Sequence, residues 1–238
     1  MKTFMLYQNE NELDRFNKYL PVDIKNLFGD IIYFKSHIYE NTKYNFNHID
    51  INYFDIYKEI YKNKLNKNQL NHLLSIKKIL EDSINKKYDS IMILEYDIYF
   101  NKDFIELYDK YKNLIINNDI IHLGSSQHKW FDIITNEKIN IKEWKNIKFY
   151  NNSHSLGTFA IILKNNIYLE YLNFINYVLT SYQYFPSDVI LSILSRNYKS
   201  IVLYPNLIIC NLDNSSIIKK DRSNDYIKFK WYKHKYIC

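Results

Sequence analysis

The feature that most constrains this chain is an apolar strand that runs directly into two acidic residues. Ile91–Leu94 is a run of four apolar residues, and Glu95 and Asp97 follow it one residue apart. Such a run predicts a buried, parallel strand, and ligands of open α/β sheets bind at the carboxyl ends of strands. Alternate strand residues face the same side, so we expect both carboxylates to converge on one hard cation, with Tyr96 turned away. The pattern therefore favours a site for a metal and a diphosphate.

The plain alternative is that the two carboxylates are solvated and simply close a strand. The apolar run argues against it, because it places Glu95 and Asp97 at the edge of a buried sheet. An unpaired carboxylate in such a position costs several kcal/mol of folding free energy. A cation or a basic partner is therefore expected beside them.

Short apolar blocks of strand length recur along the chain, and helical patterns separate several of them. The predicted strands are Phe4–Leu6, Ile31–Phe34, Ile91–Leu94, Ile120–Leu123, Phe159–Leu163 and Ile201–Leu203. Helices are predicted over 68–85, 104–115 and 167–178, and a fourth begins after Pro186 with Ser187 as its N-cap. Strands that alternate with helices predict an α/β sandwich with a mostly parallel central sheet flanked by helices. Because no Pro, Gly or Ser-rich linker interrupts the pattern, residues 1–238 are expected to form a single domain.

The bulk composition excludes several classes of protein. A chain of 238 residues with 47% hydrophobic residues can build a core without disulfides. Its two cysteines, Cys210 and Cys238, support neither a disulfide framework nor a zinc pair. The N-terminal apolar run is too short for a signal peptide, and no stretch approaches the roughly 20 apolar residues that span a bilayer. We therefore expect a cytoplasmic location, and the Lys, Asn, Ile and Tyr-rich composition would suit an AT-rich microbe or a virus in its host cytoplasm.

A net charge of +6, a pI near 8.9 and 24 tyrosines raise the alternative of a basic, aromatic nucleic-acid-binding protein. The basic residues are spread along the chain, however, and only the C-terminal tail at about 219–238 is a dense basic and aromatic cluster. No nucleic-acid partner is therefore expected. In the tail, Lys230, Lys233 and Lys235 are expected to be solvated, with contact to donor phosphates or an anionic acceptor as the alternative.

Five segments, in one order, resemble the family 25 glycosyltransferases, the lipooligosaccharide and procollagen galactosyltransferase group. The resemblance runs from about residue 65 to 217, and no single motif in it is specific. The matching segments are Leu65–Leu70 with Ser75 and Ile91–Phe100, then Asp119–Gly124, Gly157–Lys164, Pro186–Val189, and Tyr204–Leu207 with Ser215–Ile217.

The resemblance implies a GT-A fold that binds a nucleotide-diphosphate sugar, a UDP-sugar above others, with a divalent cation, Mn²⁺ or Mg²⁺. It places Asp97 as a direct metal ligand and Glu95 on the metal, its waters or the donor ribose. It also makes Asp188 the general base of an inverting transfer to a hydroxyl of a glycan or glycoprotein. The alternative for Asp188 is that the helix dipole alone favours an acid there.

Further residues are candidates for the same site. Gly124 and Gly157 are two of only three glycines, which indicates backbone bends or close approach of the donor. Ser125 follows Gly124 at a strand end and is expected to line the donor or acceptor pocket. His234 is a candidate metal ligand, because a C-terminal histidine reaches the metal in some GT-A enzymes.

Tyr96 is where this chain departs from the family, which usually has a second acid at that position. If the family's central carboxylate binds donor or metal, the site is weakened here. The sequence therefore leaves open a catalytically impaired, glycan-binding relative of the same fold.

Overall fold

A computed structural model describes residues 1–36, 65–127, 130, 137–144, 146–151, 155–180, 185–213, 222 and 224–237. Ser215–Ile217 and parts of the tail (219–221, 223 and 238) lie outside the described residues. The strands of the described part are β1 (Lys2–Tyr7), β2 (Ile31–Lys35), β3 (Ser90–Glu95), β4 (Ile98–Asn101), β5 (Ile120–His122), β6 (Lys142–Trp144), β7 (Ile147–Asn151), β8 (Ala160–Lys164), β9 (Ser200–Tyr204), β10 (Ile208–Cys210) and β11 (Tyr236–Ile237). All six predicted strands are confirmed within this set.

Eight of these strands form one mixed sheet in the order β2-β1-β3-β8-β5-β9-β7-β6. β1 runs parallel to β2 and β3, and β5 runs parallel to β9. β8 is antiparallel to both of its neighbours, β3 and β5. The α/β prediction is thus confirmed, but the expected mostly parallel order is interrupted. The reason is that the chain enters β8 beside the carboxyl end of β3, where the Glu95 N–H donates to the Phe159 carbonyl (2.9 Å).

The helices are α1 (Glu10–Tyr19), α2 (Val22–Phe28), α3 (Lys67–Asn85), α4 (Phe104–Asn117), α5 (Tyr168–Thr180), α6 (Ser187–Leu194) and the single turn α7 (Asp225–Lys228). The four predicted helices correspond to α3 to α6. The start of α3 is fixed by a capping box, in which Asn66 and Gln69 each accept, through the side chain, the backbone N–H of the other. None of the helices in the described ranges is long and apolar enough to cross a bilayer.

The helices cover both faces of the large sheet, because each presents an apolar stripe to it. One core lies under α3, α5 and α6 and includes Leu73, Ile76 and Tyr171. The other lies under α1, α2 and α4 and includes Phe16 and Phe104. Both sides of β3 are therefore buried, as its unbroken apolar run predicts.

The aromatic residues of the C-terminal tail belong to the second core. β10, β4 and β11 form a small antiparallel sheet, so the tail pairs with β4 through Tyr236 and Ile237. Phe229 and Trp231 are buried, and the Trp231 Nε1–H donates to Asn206 Oδ1. The tail is thus packed onto the fold, whereas the sequence analysis expected a solvated segment.

His122 is buried in the middle of the large sheet and should make the protein acid-sensitive. Burial lowers its pKa to about 4, although a hydrogen bond with the Gly157 backbone opposes the shift. The unfolded chain binds more protons than the folded one between that value and the ordinary histidine pKa of about 6.5. The contribution of His122 to stability should therefore fall as pH falls through this window, by about 3 kcal/mol in total.

Urea titrations across this pH range test the expectation. The unfolding free energy of His122→Gln, relative to that of the wild type, should rise as pH falls from about 6.5 to about 4, and His234→Gln, at an exposed histidine, is the matched control. An unchanged slope in His122→Gln would assign the acid sensitivity to other groups.

Candidate active site

A pocket of about 260 Å³ opens at the carboxyl end of β3. Its wall is built by the end of β3, the first turns of α3, the segment before β8, the start of α6 and the segment after β10. The ionisable side chains of this wall are His72, Glu95, Asp97, Asp188 and Arg222, together with the thiol of Cys210. Three predicted site residues, Glu95, Asp97 and Asp188, thus meet in one cavity although 91 positions separate Asp97 from Asp188.

The alternation expected at the end of β3 is present. Glu95 and Asp97 both line the pocket, whereas Tyr96 lines a separate, smaller cavity beside α1 and packs against the apolar core. Asp97 lies at the turn between β3 and β4, and its carbonyl accepts the Asn211 N–H (2.6 Å). The position at which family 25 usually has a second acid is therefore occupied here by a side chain that lies outside this pocket.

One oxygen of the Asp97 carboxylate is buried without a hydrogen-bond partner. Burial raises the pKa of Asp97 to about 7, and the neighbouring charge of Glu95 contributes to the rise. A desolvated carboxylate beside a second one is costly unless a cation or a proton compensates it. Asp97 therefore needs either a bound proton or a positively charged partner.

The Asp188 carboxylate is held by backbone N–H groups. Gly157 N–H donates to its Oδ2 (3.0 Å) and Val189 N–H donates to its Oδ1 (2.9 Å). Burial raises the pKa of Asp188, and these two hydrogen bonds oppose the rise. Both readings of Asp188 stay physically open, because it bonds the first turn of α6 and also faces the pocket.

His72 connects three parts of the site, and the sequence analysis did not single it out. Its Nε2 lies 3.1 Å from Glu95 Oε1, and its Nδ1 lies 2.9 Å from Ser187 Oγ. Burial lowers the pKa of His72, but the charges of Glu95, Asp188 and Asp97 outweigh it, so the pKa is raised overall. In its protonated form the ring would donate to both neighbours, and its contact with Glu95 orients that carboxylate.

Ser187 is the first helical residue of α6, and its hydroxyl contacts His72 instead of capping the helix. Pro186 occupies the cap position, and no side chain caps this helix. The N-cap prediction is therefore wrong. The sequence signal for His72 was weak: Gln69 and His72 are polar residues three apart on α3, and both line the pocket.

Arg222 is the one Lys or Arg of the described residues that lines this pocket. Its Nε–H donates to Asp225 Oδ2 (2.7 Å), and its guanidinium lies over the Phe229 ring. The tail thus supplies a cation to a pocket that carries three carboxylates.

The other predicted site residues differ in whether they reach the pocket. Gly157 lines the pocket with a φ of 94°, a conformation that favours glycine. Gly124 and Ser125 are buried behind the wall, and the Ser125 hydroxyl donates to the Leu156 carbonyl (3.3 Å). The next residue, Ser126, does reach the pocket.

Glu95 and Asp97 can hold a divalent cation only together with further ligands, such as waters and substrate oxygens. Among the described residues, no three His, Cys, Asp or Glu side chains form a group that could hold a metal. His234 is exposed in the turn Lys233–Lys235 beside Tyr232 and does not line the pocket. Mg²⁺ in phosphate-handling sites commonly takes one or two carboxylates plus waters and substrate oxygens, and Glu95 and the unbonded oxygen of Asp97 suit that donor set.

Comparison with known proteins leaves the chain without an assigned family. It matches no protein-family profile and no curated protein sequence. The crystal structure of A197 from STIV aligns with 92% of this chain and 99% of its own, at 13% identity and a TM-score of 0.34. Mannose-1-phosphate geranyltransferase from Thermus thermophilus aligns with 85% of this chain and 74% of its own, at 7% identity and a TM-score of 0.37. Similarities this distant carry no argument about what the chain does.

Proposed function

We propose that this chain is a metal-assisted glycosyltransferase with a GT-A-like fold, similar to family 25. It would move a sugar from a nucleotide-diphosphate donor to a hydroxyl of a glycan or protein. The donor that we propose before others is a UDP-sugar. The observation that carries the proposal is the convergence of Glu95, Asp97 and Asp188 on one pocket at the carboxyl end of β3. The order of the five family-like segments in the sequence supports it.

In the proposed reaction, the acceptor oxygen forms a bond to the anomeric carbon while the bond from that carbon to the donor phosphate breaks. The bonding electrons leave with the diphosphate, and Asp188 accepts the proton of the acceptor hydroxyl. A raised pKa makes Asp188 a better base, and its two backbone hydrogen bonds fix its orientation. Attack from the side opposite the leaving group inverts the configuration.

Glu95 and Asp97 are assigned to the diphosphate end of the donor. When bound there, a divalent cation supplies charge compensation for the leaving diphosphate. His72 orients Glu95, and Arg222 supplies a second positive charge to the same wall. These residues therefore position the leaving group, while Asp188 acts on the acceptor.

A donor screen by thermal shift, with and without Mn²⁺, tests the proposal. Nucleotide-diphosphate sugars should raise the melting temperature only when Mn²⁺ is present, and the donor that does so should be turned over. Asp188→Asn should keep this Mn²⁺-dependent shift and lose about 10²–10⁴-fold in turnover, the usual contribution of a general base. Asp109→Asn, at an exposed acid of α4, is the control for the substitution.

Three results would separate the alternatives. Glycan binding without any shift by donors or Mn²⁺ would favour the impaired, glycan-binding relative. Full turnover by Asp188→Asn would leave the acidic pocket in place but remove Asp188 as the base. No binding of any donor, metal or glycan would contradict the proposal as a whole.

A further inference from the structure

The outer surface of the C-terminal tail combines exposed apolar side chains with lysines. Ile227 and Tyr232 are 81% and 53% exposed, and Lys228, Lys230 and Lys235 are exposed close to them in the sequence. We call these five residues the tail surface. An isoleucine that is exposed to this extent within a run of exposed lysines and an exposed tyrosine favours a binding segment.

The segment that carries the tail surface is anchored to the protein core. The backbone N–H of Trp231 donates to the Tyr226 carbonyl (2.8 Å), and the Tyr236 hydroxyl donates to the Asn206 carbonyl (2.7 Å). Tyr226, Trp231 and Tyr236 are all buried, so these aromatic residues of the segment point into the core. The outward residues contribute little to that packing, and the segment holds them in place.

The charge of the tail surface is strongly one-sided. No acidic residue follows Asp225 in the sequence. Asp225 is paired with Arg222 (2.7 Å), and Lys233, which is not part of the tail surface, is paired with Asp213. Lys230 lies 3.9 Å from the Trp130 ring centroid and Lys235 lies 5.5 Å from that of Tyr232, contacts that leave both positive charges in place.

We propose that the tail surface docks this protein on an anionic lipid bilayer. Lysines are attracted to acidic headgroups, while tyrosine and aliphatic side chains enter the boundary between headgroups and acyl chains. A nucleic acid would use the lysines and could stack on Tyr232, but it has no use for an isoleucine that is 81% exposed. The apolar component is therefore what favours a membrane.

Docking through this surface would hold the proposed active site near the bilayer. The tail reaches the pocket at two points: Arg222 lines it, and the Trp231 ring packs against Phe159, which also lines it (5.8 Å between ring centroids). The membrane proposal stands on the tail surface alone, so it does not require the glycosyltransferase proposal to be correct.

Co-sedimentation of the full chain with large unilamellar vesicles tests the proposal. The protein should bind vesicles that contain about one-third phosphatidylglycerol and not vesicles of pure phosphatidylcholine, and salt should weaken the binding. The triple variant Lys228→Gln, Lys230→Gln, Lys235→Gln should bind about a hundredfold more weakly, at about fivefold for each lysine. Lys25→Gln, Lys112→Gln, Lys199→Gln removes the same charge from exposed lysines elsewhere and should bind as the wild type does.

A second variant separates the membrane from a purely electrostatic partner. Ile227→Asn changes no charge and lies on an exposed side of α7, so it should keep the melting temperature and still weaken vesicle binding several-fold. Equal binding by the two triple variants, or equal binding to pure phosphatidylcholine, would overturn the proposal. Single-stranded nucleic acid that binds more tightly than the anionic vesicles would also overturn it and assign the lysines to that partner.

Discussion

Asp97→Asn is expected to make the metal-free protein more stable and to abolish its Mn²⁺ binding. In the wild type, the folded protein holds a desolvated carboxylate next to Glu95, with one oxygen that has no hydrogen-bond partner. An asparagine of the same shape removes the charge and leaves the packing in place. The free energy of unfolding at about pH 8 should rise by about 1–3 kcal/mol, which is less than the full cost of a pKa shift of this size because the buried amide also lacks a partner.

The stabilisation that we expect from Asp97→Asn should depend on pH in a characteristic direction. The pKa of Asp97 is raised from 3.8 to about 7 in the folded protein. Between these values the folded state binds more protons at Asp97 than the unfolded state does, so the contribution of Asp97 to wild-type stability falls as pH rises through this window. Asp97→Asn lacks this loss, so its advantage over the wild type should grow from about pH 4 to about pH 8.

Chemical denaturation at a series of pH values, repeated with Mn²⁺, measures both effects. Mn²⁺ should stabilise the wild type and not Asp97→Asn, whose turnover should fall about 10³-fold because several kcal/mol of charge compensation are lost. Asp109→Asn, at an exposed acid, should change neither quantity. A strong destabilisation by Asp97→Asn would instead give Asp97 a structural role, and an unchanged response to Mn²⁺ would move the metal to other ligands.

The regular elements that carry the site could be predicted because each has a local signal. Ile91–Leu94 is apolar on both faces, and β3 is indeed covered on both sides. Leu73, Ile76 and Leu80 follow helical spacing, and all three are buried in α3. The position of Glu95 and Asp97 on one wall, with Tyr96 on another, follows from the two-residue period of a strand.

The contacts between distant segments could not be predicted in the same way. Nothing near Ala160–Lys164 shows that β8 runs against its neighbours, because strand direction depends on where the chain enters the sheet. His72 becomes part of the site only because α3 packs against the start of α6. The side chains of His72 and Ser187 meet there although 115 positions separate the two residues in the sequence. The tail lacks a clear strand pattern, and β11 forms because β4 has a free edge to receive it.

Gly124→Ala is expected to destabilise the protein more than a single methyl group usually does. A Cβ at this position would lie 1.8 Å from the Ile208 carbonyl oxygen and 2.8 Å from a carbon of the Phe159 ring. The obstacle is a backbone atom, so it cannot be relieved by a side-chain rotation. We expect a loss of about 3 kcal/mol or more in the free energy of unfolding, at the upper end of the range for overpacked cores.

The matched control lies in the same chain. Gly29 has a φ of 64° and a ψ of −139° and no atom within 4 Å of a built Cβ, so Gly29→Ala should cost about 1–3 kcal/mol through backbone strain alone, without a steric clash. Urea denaturation of both variants measures the difference. A loss of less than about 1 kcal/mol in Gly124→Ala would show that β10 shifts easily away from Gly124.

The Gly124→Ala variant also tests how the pocket is positioned. Leu207 and Ile208 donate their N–H groups to the Leu123 carbonyl (2.7 and 3.2 Å), so Gly124 sets how closely β10 approaches β5. Cys210, the last residue of β10, and Asn211, which follows it, line the pocket. Gly124→Ala should therefore weaken donor binding in the fraction that remains folded, although residue 124 itself does not face the pocket. Undiminished donor binding in a destabilised variant would show that Gly124 acts only in packing. A glycine would then be required at this position because two backbone segments approach each other closely, and not because a ligand does.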